Sequence, residues 1–573
     1  MGYCPQTMQT IGLLKNKYLI ILVFIVLLGG ILRLLGLNKY PVGFTPDEAS
    51  FGYDAYSLLK TGKDQWGHSW PIILESFGDY KAPILSYLMI PAVAVGGLDK
   101  VPIRVPNAVV GVLAILVTYF VVRRLFRSEA TALASSFFLA ISPWHIMMSR
   151  GAFEANLTTL FLPLGILLLL KGFEKNKYLY LGALVLGLNM FTYHAAKLVT
   201  PIVAFLFTVI FWKDIVTVSK KHLLSVGTIF LLFIGLTAYT FTIGAGARVS
   251  DVSIFKGITD ASAEYKVNAY SMGVNPFLAR IIYSKFEIPV VRFLDNYVSY
   301  FSPQYLFTKG PSEATYGMIP GRGVLYWFEL PFLLGFLASL FKAKDKKIHL
   351  FILGWVLASP IPAALTTGAG YAGNRSEIML PALQIIIAIG FYQVYLYLKN
   401  NFTRGVVKTS LFFYSIFSLI LFGGFLADYF LISPARNAGA MLSGDLEVAN
   451  FLIKNVPASS TVVVSKSLSE PQIYIAFAGS WNPAEYQTAT KTWNYKKLGL
   501  GWVDQLPSYK LGNYTFKGIN MDDYKSVSEA DYVVGKPGEF PNDVTVYKVI
   551  NLPNGKPGIY VVRSSDLMKQ LNK

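Results

Sequence analysis

Long apolar runs separated by short polar connections make up residues 18–432 of the chain. The first run, 18–37, contains one charge, Arg33, and at about 1.5 Å of rise per helical residue it can cross the hydrocarbon core. No small-residue cleavage site follows it, so we interpret it as a retained helix and not a removed leader. Together with ten further runs, the pattern predicts about eleven spans. The ten further spans are 103–123, 130–147, 156–171, 178–193, 198–212, 222–243, 324–341, 348–366, 376–398 and 406–432.

One apolar stretch does not fit a crossing. The segment 83–97, PILSYLMIPAVAVGG, is short and contains two prolines. Because a crossing needs about 20 residues, this segment is predicted to be a helix that lies at the membrane interface.

The charged connections between the runs indicate the orientation. One set is basic: RRLFR at 123–127, KGFEKNK at 171–177, the loop 213–221, KAKDKK at 342–347 and KNNFTR at 399–404. The alternate connections, near Arg150, Lys197 and Arg375, are much less basic. The positive-inside rule places the basic set and the N-terminus in the cytoplasm. We therefore predict a multi-pass protein of the plasma (inner) membrane.

The remaining polar segments are predicted to lie outside. They are two long loops, about 38–102 and 244–323, and the tail 433–573. In the tail, short β-rich runs such as TVVVS, DYVVG and GIYVVR accompany the helical DLEVANFLIKNV. The predicted fold class is thus a polytopic α-helical membrane module, 1–432, followed by an extracytoplasmic α/β domain, 433–573.

The composition agrees with a membrane protein and argues against several functions. Hydrophobic residues are 53% of the 573 and charged residues 15%, with a mean hydropathy of +0.46. Lys and Arg outnumber Asp and Glu by 51 to 33, but they fall between apolar runs, which does not favour nucleic-acid binding. Cys4 is the only cysteine and the five histidines are scattered, so no disulfide framework or metal site is predicted. There is no P-loop and no serine elbow.

Two adjacent acids follow the first span. Asp47 and Glu48 stand in GFTPDEASFGYDAYSLLK, and with Thr45 and Pro46 they suit the first turn of a helix. A carboxylate held there beside the bilayer is also rigid and partly desolvated, which suits a general base. A cap and a base are compatible, and both interpretations stay open.

Further charges stand at the outer ends of the spans. SFGDYKAP places Asp79 two residues before Lys81, and SPWHIMMSRGAFEANL contains Arg150 and Glu154. If helical, Arg150 and Glu154 are an ordinary i, i+4 pair worth roughly 0.2–0.5 kcal/mol. Charges at span ends are less common, however, and this favours a functional site.

Two more motifs lie at outer span ends. NMFTYHAAKLVTP contains Tyr193, His194 and Lys197, for which a buried histidine or an interfacial tyrosine is the default interpretation. ALTTGAGYAGNRSEIMLP places Arg375 and Glu377 in glycine-rich backbone. An arginine there suits a phosphate or a snorkelling anchor equally well.

Taken in order, these segments resemble one family. The landmarks are TPDEASFGYDAYSLLKTGKDQWG, GDYKAPILSYL, IRVPNAVVGVL, ISPWHIMMSRGAFEANL, TYHAAK, PGRGVLYWFELPFLLG and NRSEIMLP. They resemble the GT-C membrane glycosyltransferases, within them the dolichyl-phosphate-mannose protein mannosyltransferase-like group that includes the bacterial aminoarabinose transferases. The resemblance covers residues 18–432.

The resemblance implies roles for the outer residues. Asp47 would be the general base on the acceptor, Glu48 would support it, and Asp79 would be a second acid of the first loop. Glu154 stands where relatives often have aspartate, which leaves its role less defined. The candidates for the donor phosphate are Lys81, Arg150, Lys197 and Arg375, and the further site candidates are Glu154, Tyr193 and His194.

Enzymes of this kind transfer the sugar with inversion of the anomeric configuration and use a polyprenyl-phosphate donor. Negative charge grows on the phosphate as the anomeric bond breaks, so cations at the membrane boundary stabilise it while a carboxylate removes the acceptor proton. The predicted function is transfer of a hexose or pentose to a glycan, lipid or protein acceptor, with no cofactor or metal required. The rival classes are a lipid or saccharide transporter or flippase, which would show repeats and intramembrane charges, and a lipid-binding scaffold.

Overall fold

The computed structural model describes residues 5–246, 253–342, 346–367, 372–520 and 527–571. Within these ranges seven helices are long and apolar enough to cross a membrane: Lys17–Leu34, Lys100–Phe126, Glu154–Gly172, Lys220–Gly244, Lys347–Ala364, Ala382–Asn401 and Arg404–Arg436. An eighth candidate is a pair of helices, Glu129–Ile141 and Pro143–Arg150, that meet at an angle of 57°.

The other three predicted spans also form helices, but short ones. Lys177–Asn189 and Leu330–Lys342 have 13 residues each, and Ala196–Ile210 has 15. A straight crossing needs about 20 residues, so the number of crossings stays a prediction. Two boundaries differ by about six residues: the predicted span 324–341 has its helix from Leu330, and in 376–398 the helix begins at Ala382, after Pro381. Proline disfavours helical backbone in the residue before it, which explains the later start at Ala382.

The charge in the first span is satisfied inside the bundle. Arg33 is fully buried and donates hydrogen bonds to the carbonyl oxygens of Leu139 and Ala140, at 3.0 and 2.9 Å. This contact ties the first span to the helix Glu129–Ile141 where that helix bends. Arg33 thus has a packing role.

The first loop contains two helices and a small hairpin. The helices are Pro46–Thr61 and Ile84–Gly96, and between them strand β1 (Leu74–Glu75) pairs antiparallel with β2 (Tyr80–Lys81). The helix Ile84–Gly96 has 13 residues, as expected for a segment too short to cross, and its interfacial position stays a prediction. The described part of the second loop is also helical, over Ile258–Ser271, Pro276–Ile282 and Glu287–Ser299.

The C-terminal region is an α/β unit, as the sequence predicted. Its strands are β3 (Val462–Ser465), β4 (Ser508–Leu511), β5 (Tyr514–Lys517), β6 (Tyr532–Gly535), β7 (Lys548–Asn551) and β8 (Pro557–Arg563). They form one sheet in the order β4-β5-β3-β6-β8-β7, in which β3 is parallel to both of its neighbours and the other pairs are antiparallel. The accompanying helices are Asp445–Asn455, Pro471–Ala478, Pro483–Thr490 and Ser564–Leu571.

The C-terminal unit packs directly on the first loop. The amide of Val503 donates to the carbonyl oxygen of Phe77 at 2.9 Å, and the hydroxyl of Tyr474 donates to that of Phe44 at 2.7 Å. Gly78 has a φ of 129°, and a Cβ there would lie 2.2 Å from the carbonyl oxygen of Gly501. Only glycine permits both this backbone conformation and this approach. The hairpin and the C-terminal unit therefore form one continuous wall.

Candidate functional site

A cavity of about 220 Å³ lies where the first loop meets the C-terminal unit. Four parts of the chain line it: the start of the helix Pro46–Thr61, the β1–β2 hairpin, the segment around Tyr316, and the C-terminal unit. Its ionisable lining residues are Asp47, Asp79, Lys81, Tyr316 and Glu470. Three of the residues predicted from sequence thus share one cavity.

Asp47 reaches this cavity because of the way its helix begins. Thr45 is the N-cap, Pro46 is the first helical residue, and Thr45 and Glu48 form a capping box through two hydrogen bonds of 3.1 Å. The predicted helix cap is confirmed. The side chain of Asp47 is 37% exposed, and it accepts a 3.4 Å hydrogen bond from the hydroxyl of Tyr316. It is therefore held in place but open to a ligand.

Glu48, the neighbouring acid, points away from the cavity. It is fully buried and its Oε1 and Oε2 atoms accept from Nε and Nη2 of Arg104 at 2.8 and 3.0 Å. Oε1 also accepts from the amide of Ala152 at 3.0 Å. Arg104 in turn donates to the carbonyl oxygens of Leu37 and Pro41, both at 2.9 Å. The pair joins the first loop to the helix Lys100–Phe126 and to the turn after Arg150, and it thereby fixes the residue next to Asp47.

Lys81 presents a buried ammonium group to the cavity. Its side chain is 3% exposed, and Nζ lies 3.9 Å from Oδ1 of Asp47 and 4.2 Å from the centre of the Phe51 ring. Among the described residues Nζ has no hydrogen-bond acceptor. A buried cation in such a setting is complementary to an anion that enters the cavity.

The motif TYHAAK meets the motif GDYK beside this lysine. Nε2 of His194 donates to the carbonyl oxygen of Tyr80 at 2.8 Å, while the carboxylate of Asp79 accepts from the amide of Tyr80 at 2.7 Å. Lys197 interacts electrostatically with Asp79 and donates to the hydroxyl of Thr240 at 3.3 Å. His194 and Lys197 thus support the hairpin from behind. Tyr193 is buried next to His194.

Arg150 does not line the cavity. Its guanidinium is fully buried and donates to the carbonyl oxygens of Leu32 and Leu35, both at 2.6 Å. The ring of Phe430 lies 5.0 Å away. These contacts close the end of the first helix, and they leave the guanidinium away from the Asp47 cavity. The helix ends at Arg150, so Arg150 and Glu154 are not a helical i, i+4 pair.

Arg375 and Glu154 lie outside the lining of this cavity. Nη1 of Arg375 donates to the hydroxyl of Thr366 at 2.7 Å and to the carbonyl oxygen of Thr367 at 3.2 Å. Near it, burial raises the pKa of Glu313 to about 7, although two backbone amides and Arg375 act in the opposite direction. Glu154 begins a short 3₁₀ helix, Glu154–Leu157, and interacts electrostatically with Glu377.

Sequence reasoning missed Glu470, which stands at the far wall of the cavity. Its backbone has a φ of 50°, unusual for a residue other than glycine, and its amide donates to Oδ2 of Asp504 at 3.3 Å. Nε2 of Gln472 donates to its carboxylate at 3.2 Å. Burial, and after it the neighbouring Asp504 carboxylate, raise the pKa of Glu470. A lone glutamate before a proline carries no motif, so only the tertiary structure identifies it.

The described side chains around this cavity do not form a metal centre. Within the parts of the chain that the structure describes, no three His, Cys, Asp or Glu residues are grouped so that they could hold a metal ion. Whether a divalent ion assists therefore stays open to experiment.

The fold is similar to that of two solved structures. The archaeal oligosaccharyltransferase AglB from Archaeoglobus fulgidus, solved with an inhibitory peptide and a dolichol-phosphate, superposes with a TM-score of 0.50 at 16% identity, over 91% of this chain and 69% of that one. ArnT from Cupriavidus metallidurans, bound to undecaprenyl phosphate, also gives a TM-score of 0.50, at 11% identity, over 95% of this chain and 97% of that one. At these identities the likeness shows the fold.

Part of the chain also matches a known protein family by sequence. Residues 80–239 match the model described as dolichyl-phosphate-mannose-protein mannosyltransferase. No curated protein matches the chain significantly. The family match covers less than a third of the chain and the shared fold covers most of it, and both agree with the GT-C type suggested by the sequence motifs. The resemblance noted from the sequence motifs is confirmed at that level.

Proposed function

We propose that this chain transfers a sugar from polyprenyl phosphate to an acceptor hydroxyl at the outer face of the plasma membrane, with inversion at the anomeric carbon. One observation carries the proposal. Lys81, a buried ammonium group without a hydrogen-bond acceptor among the described residues, shares a cavity with the accessible carboxylate of Asp47, 3.9 Å away. The first group suits a phosphate and the second suits a base.

Lys81 is the proposed principal contact of the donor phosphate. In a cavity walled by protein, the field of a charged group is screened less than in water, so this cation favours the phosphate charge that grows as the bond to the sugar breaks. Lys197 acts through Asp79 and the hairpin. Two proteins with this fold were solved with dolichol-phosphate and undecaprenyl phosphate, which supports a donor of that class.

Asp47 is the proposed general base. It takes the proton from the acceptor hydroxyl while the acceptor oxygen bonds to the anomeric carbon, and the electron pair of the broken carbon–oxygen bond goes to the phosphate. This single displacement inverts the configuration at the anomeric carbon. Asp79 is the weaker candidate because its side chain is only 9% exposed and its carboxylate accepts from the amide of Tyr80.

The acceptor is proposed to enter along the wall formed by the C-terminal unit. Glu470 faces the cavity there with its neighbour Ser469, and the ring of Trp502 is 38% exposed. The raised pKa of Glu470 favours the protonated carboxyl group, which can donate a hydrogen bond to an acceptor oxygen. In this proposal the membrane module binds the donor and the C-terminal unit, 433–573, orients the acceptor.

The decisive experiment is a transfer assay with the purified protein in lipid nanodiscs. Radiolabelled polyprenyl-phosphate mannose, glucose and galactose are tested against glycan, peptide and lipid acceptors, and the anomeric configuration of the product is determined by NMR. We expect one donor to be consumed. Asp47→Asn should reduce turnover by about 10²–10⁴-fold, because it removes the base, without loss of donor binding.

Glu264→Gln is the matched control, since Glu264 is an exposed acid of the second loop that lies outside the cavity lining. Its turnover should equal that of the wild type. Full activity of Asp47→Asn would refute the assignment of the base. If no polyprenyl-phosphate sugar is consumed with any acceptor, the proposed function fails, and lipid movement between the leaflets of reconstituted vesicles would then test the flippase alternative.

A further inference from the structure

A second and larger cavity, of about 1040 Å³, lies at the other end of the helix Lys100–Phe126. That helix has 27 residues and is therefore about 40 Å long. Near its start Arg104 contacts Glu48 beside the candidate site, and at its end Phe126 lines the second cavity. Since a hydrocarbon core is about 30 Å thick, the two cavities face opposite membrane surfaces.

Cationic side chains dominate the rim of the second cavity. Arg123 and Arg124 form partly exposed salt bridges with Glu129 and Glu174. Within the described residues no salt bridge joins the other three cations to a carboxylate. Asp214 and Glu174 are the only carboxylates among the described lining residues. The five cations are Arg123, Arg124, Arg127, Lys171 and Lys175.

Helix ends explain part of this charge but not the cavity. Cations are favourable at the C-terminal ends of helices, and two helices end here. Side chains extended into water would interact equally well with these helix ends. Here the cations surround a recess whose inner wall is apolar, formed by Leu125, Phe126, Leu167, Leu170, Phe173 and Phe211. The combination is complementary to a ligand with a negative head and hydrocarbon chains.

We propose that this cavity binds an anionic phospholipid of the adjoining leaflet, with its phosphate group among the cations and its acyl chains against the apolar wall. Basic pockets between membrane helices on the cytoplasmic side are suited to anionic headgroups. The exposed salt bridges of Arg123 and Arg124 are weak, so both guanidinium groups can turn toward a phosphate. The proposal is independent of the glycosyltransferase activity.

Native mass spectrometry of the detergent-purified protein tests this site. Palmitoyl-oleoyl phosphatidylglycerol, palmitoyl-oleoyl phosphatidylcholine and inorganic phosphate are titrated separately. We expect one phosphatidylglycerol molecule to bind preferentially over phosphatidylcholine. Arg127→Gln combined with Lys171→Gln should weaken that binding about twenty-five-fold, because each cation near a phosphate contributes about fivefold. Lys175→Gln, a single exposed change, should weaken it about fivefold.

The matched control is Lys399→Gln combined with Arg404→Gln, two exposed cations of another basic connection that do not line the cavity. Its affinity for phosphatidylglycerol should be unchanged. Equal losses in the control and the test variants would show that only the general surface charge matters, and would overturn the proposal. So would unchanged binding in Lys175→Gln, or binding of inorganic phosphate as tight as that of the lipid.

Discussion

Glu48→Gln tests whether the second acid of the first loop positions the site or takes part in the chemistry. The glutamate and its partner Arg104 are both fully buried, and their two hydrogen bonds measure 2.8 and 3.0 Å. The amide nitrogen of glutamine cannot accept from the guanidinium, so the substitution leaves a buried cation without its counter-charge.

The expected loss of stability is large. Removing one partner of a buried ion pair costs about 3–5 kcal/mol, and since glutamine keeps one oxygen as an acceptor we expect about 3 kcal/mol. Asp47→Asn should cost about 1 kcal/mol or less, because that carboxylate is 37% exposed and its ion pair is long, at 3.9 Å. Adjacent residues in the same turn should therefore differ clearly in their effect on folding.

Unfolding in mixed micelles with increasing dodecyl sulfate measures the free energy of unfolding of each variant. Glu48→Met combined with Arg104→Met is the informative control, because it removes both charges and should recover part of the loss. If Glu48→Gln unfolds like the wild type but has lost its turnover, the positioning role is refuted and Glu48 belongs to the chemistry.

The remaining predictions concern the cavity itself. Lys81→Met should weaken binding of polyprenyl phosphate about tenfold to hundredfold, measured by filter binding, whereas Lys60→Met, an exposed lysine of the same loop, should have no effect. Equal effects would exclude Lys81 as the phosphate contact. Because the pKa of Glu470 is raised in the folded protein, its protonated form contributes stability that is lost as pH rises toward the folded pKa. As the pH rises above about 5, the thermal midpoint of Glu470→Gln should therefore increase relative to that of the wild type. A difference between the two midpoints that stays constant across the pH range would contradict this.

Local pattern was sufficient for much of the fold. The β-rich runs of the tail became β3, β6 and β8, because alternating and β-branched residues need no distant information to favour strands. The helix cap at Thr45 was predictable for the same reason, since a capping box is completed within four residues. The lengths of the helices were less predictable, because apolar side chains suit a short buried helix as well as a helix that crosses the membrane.

The candidate site was only partly predictable, because its contacts are distant in sequence. Nothing in the sequence around Glu48 points to Arg104, 56 residues away, yet the two side chains form a buried ion pair. Arg150 was a candidate for the donor phosphate, and nothing in its motif indicates that Nη1 and Nη2 donate to backbone carbonyls at the end of the first helix. Glu470 reaches the cavity only when the C-terminal unit docks against Phe77.

That docking has a consequence for biogenesis. The amide of Val503 bonds to the carbonyl oxygen of Phe77, and Gly78 packs against the backbone of Gly501. The first loop is synthesised early, but this wall cannot form until the C-terminal unit has been synthesised and has folded. A nascent chain that still lacks the C-terminal unit would have an open groove at this position. The cavity would therefore be completed in a single late step. A chimera that exchanges the C-terminal unit must bring a matching hairpin with it.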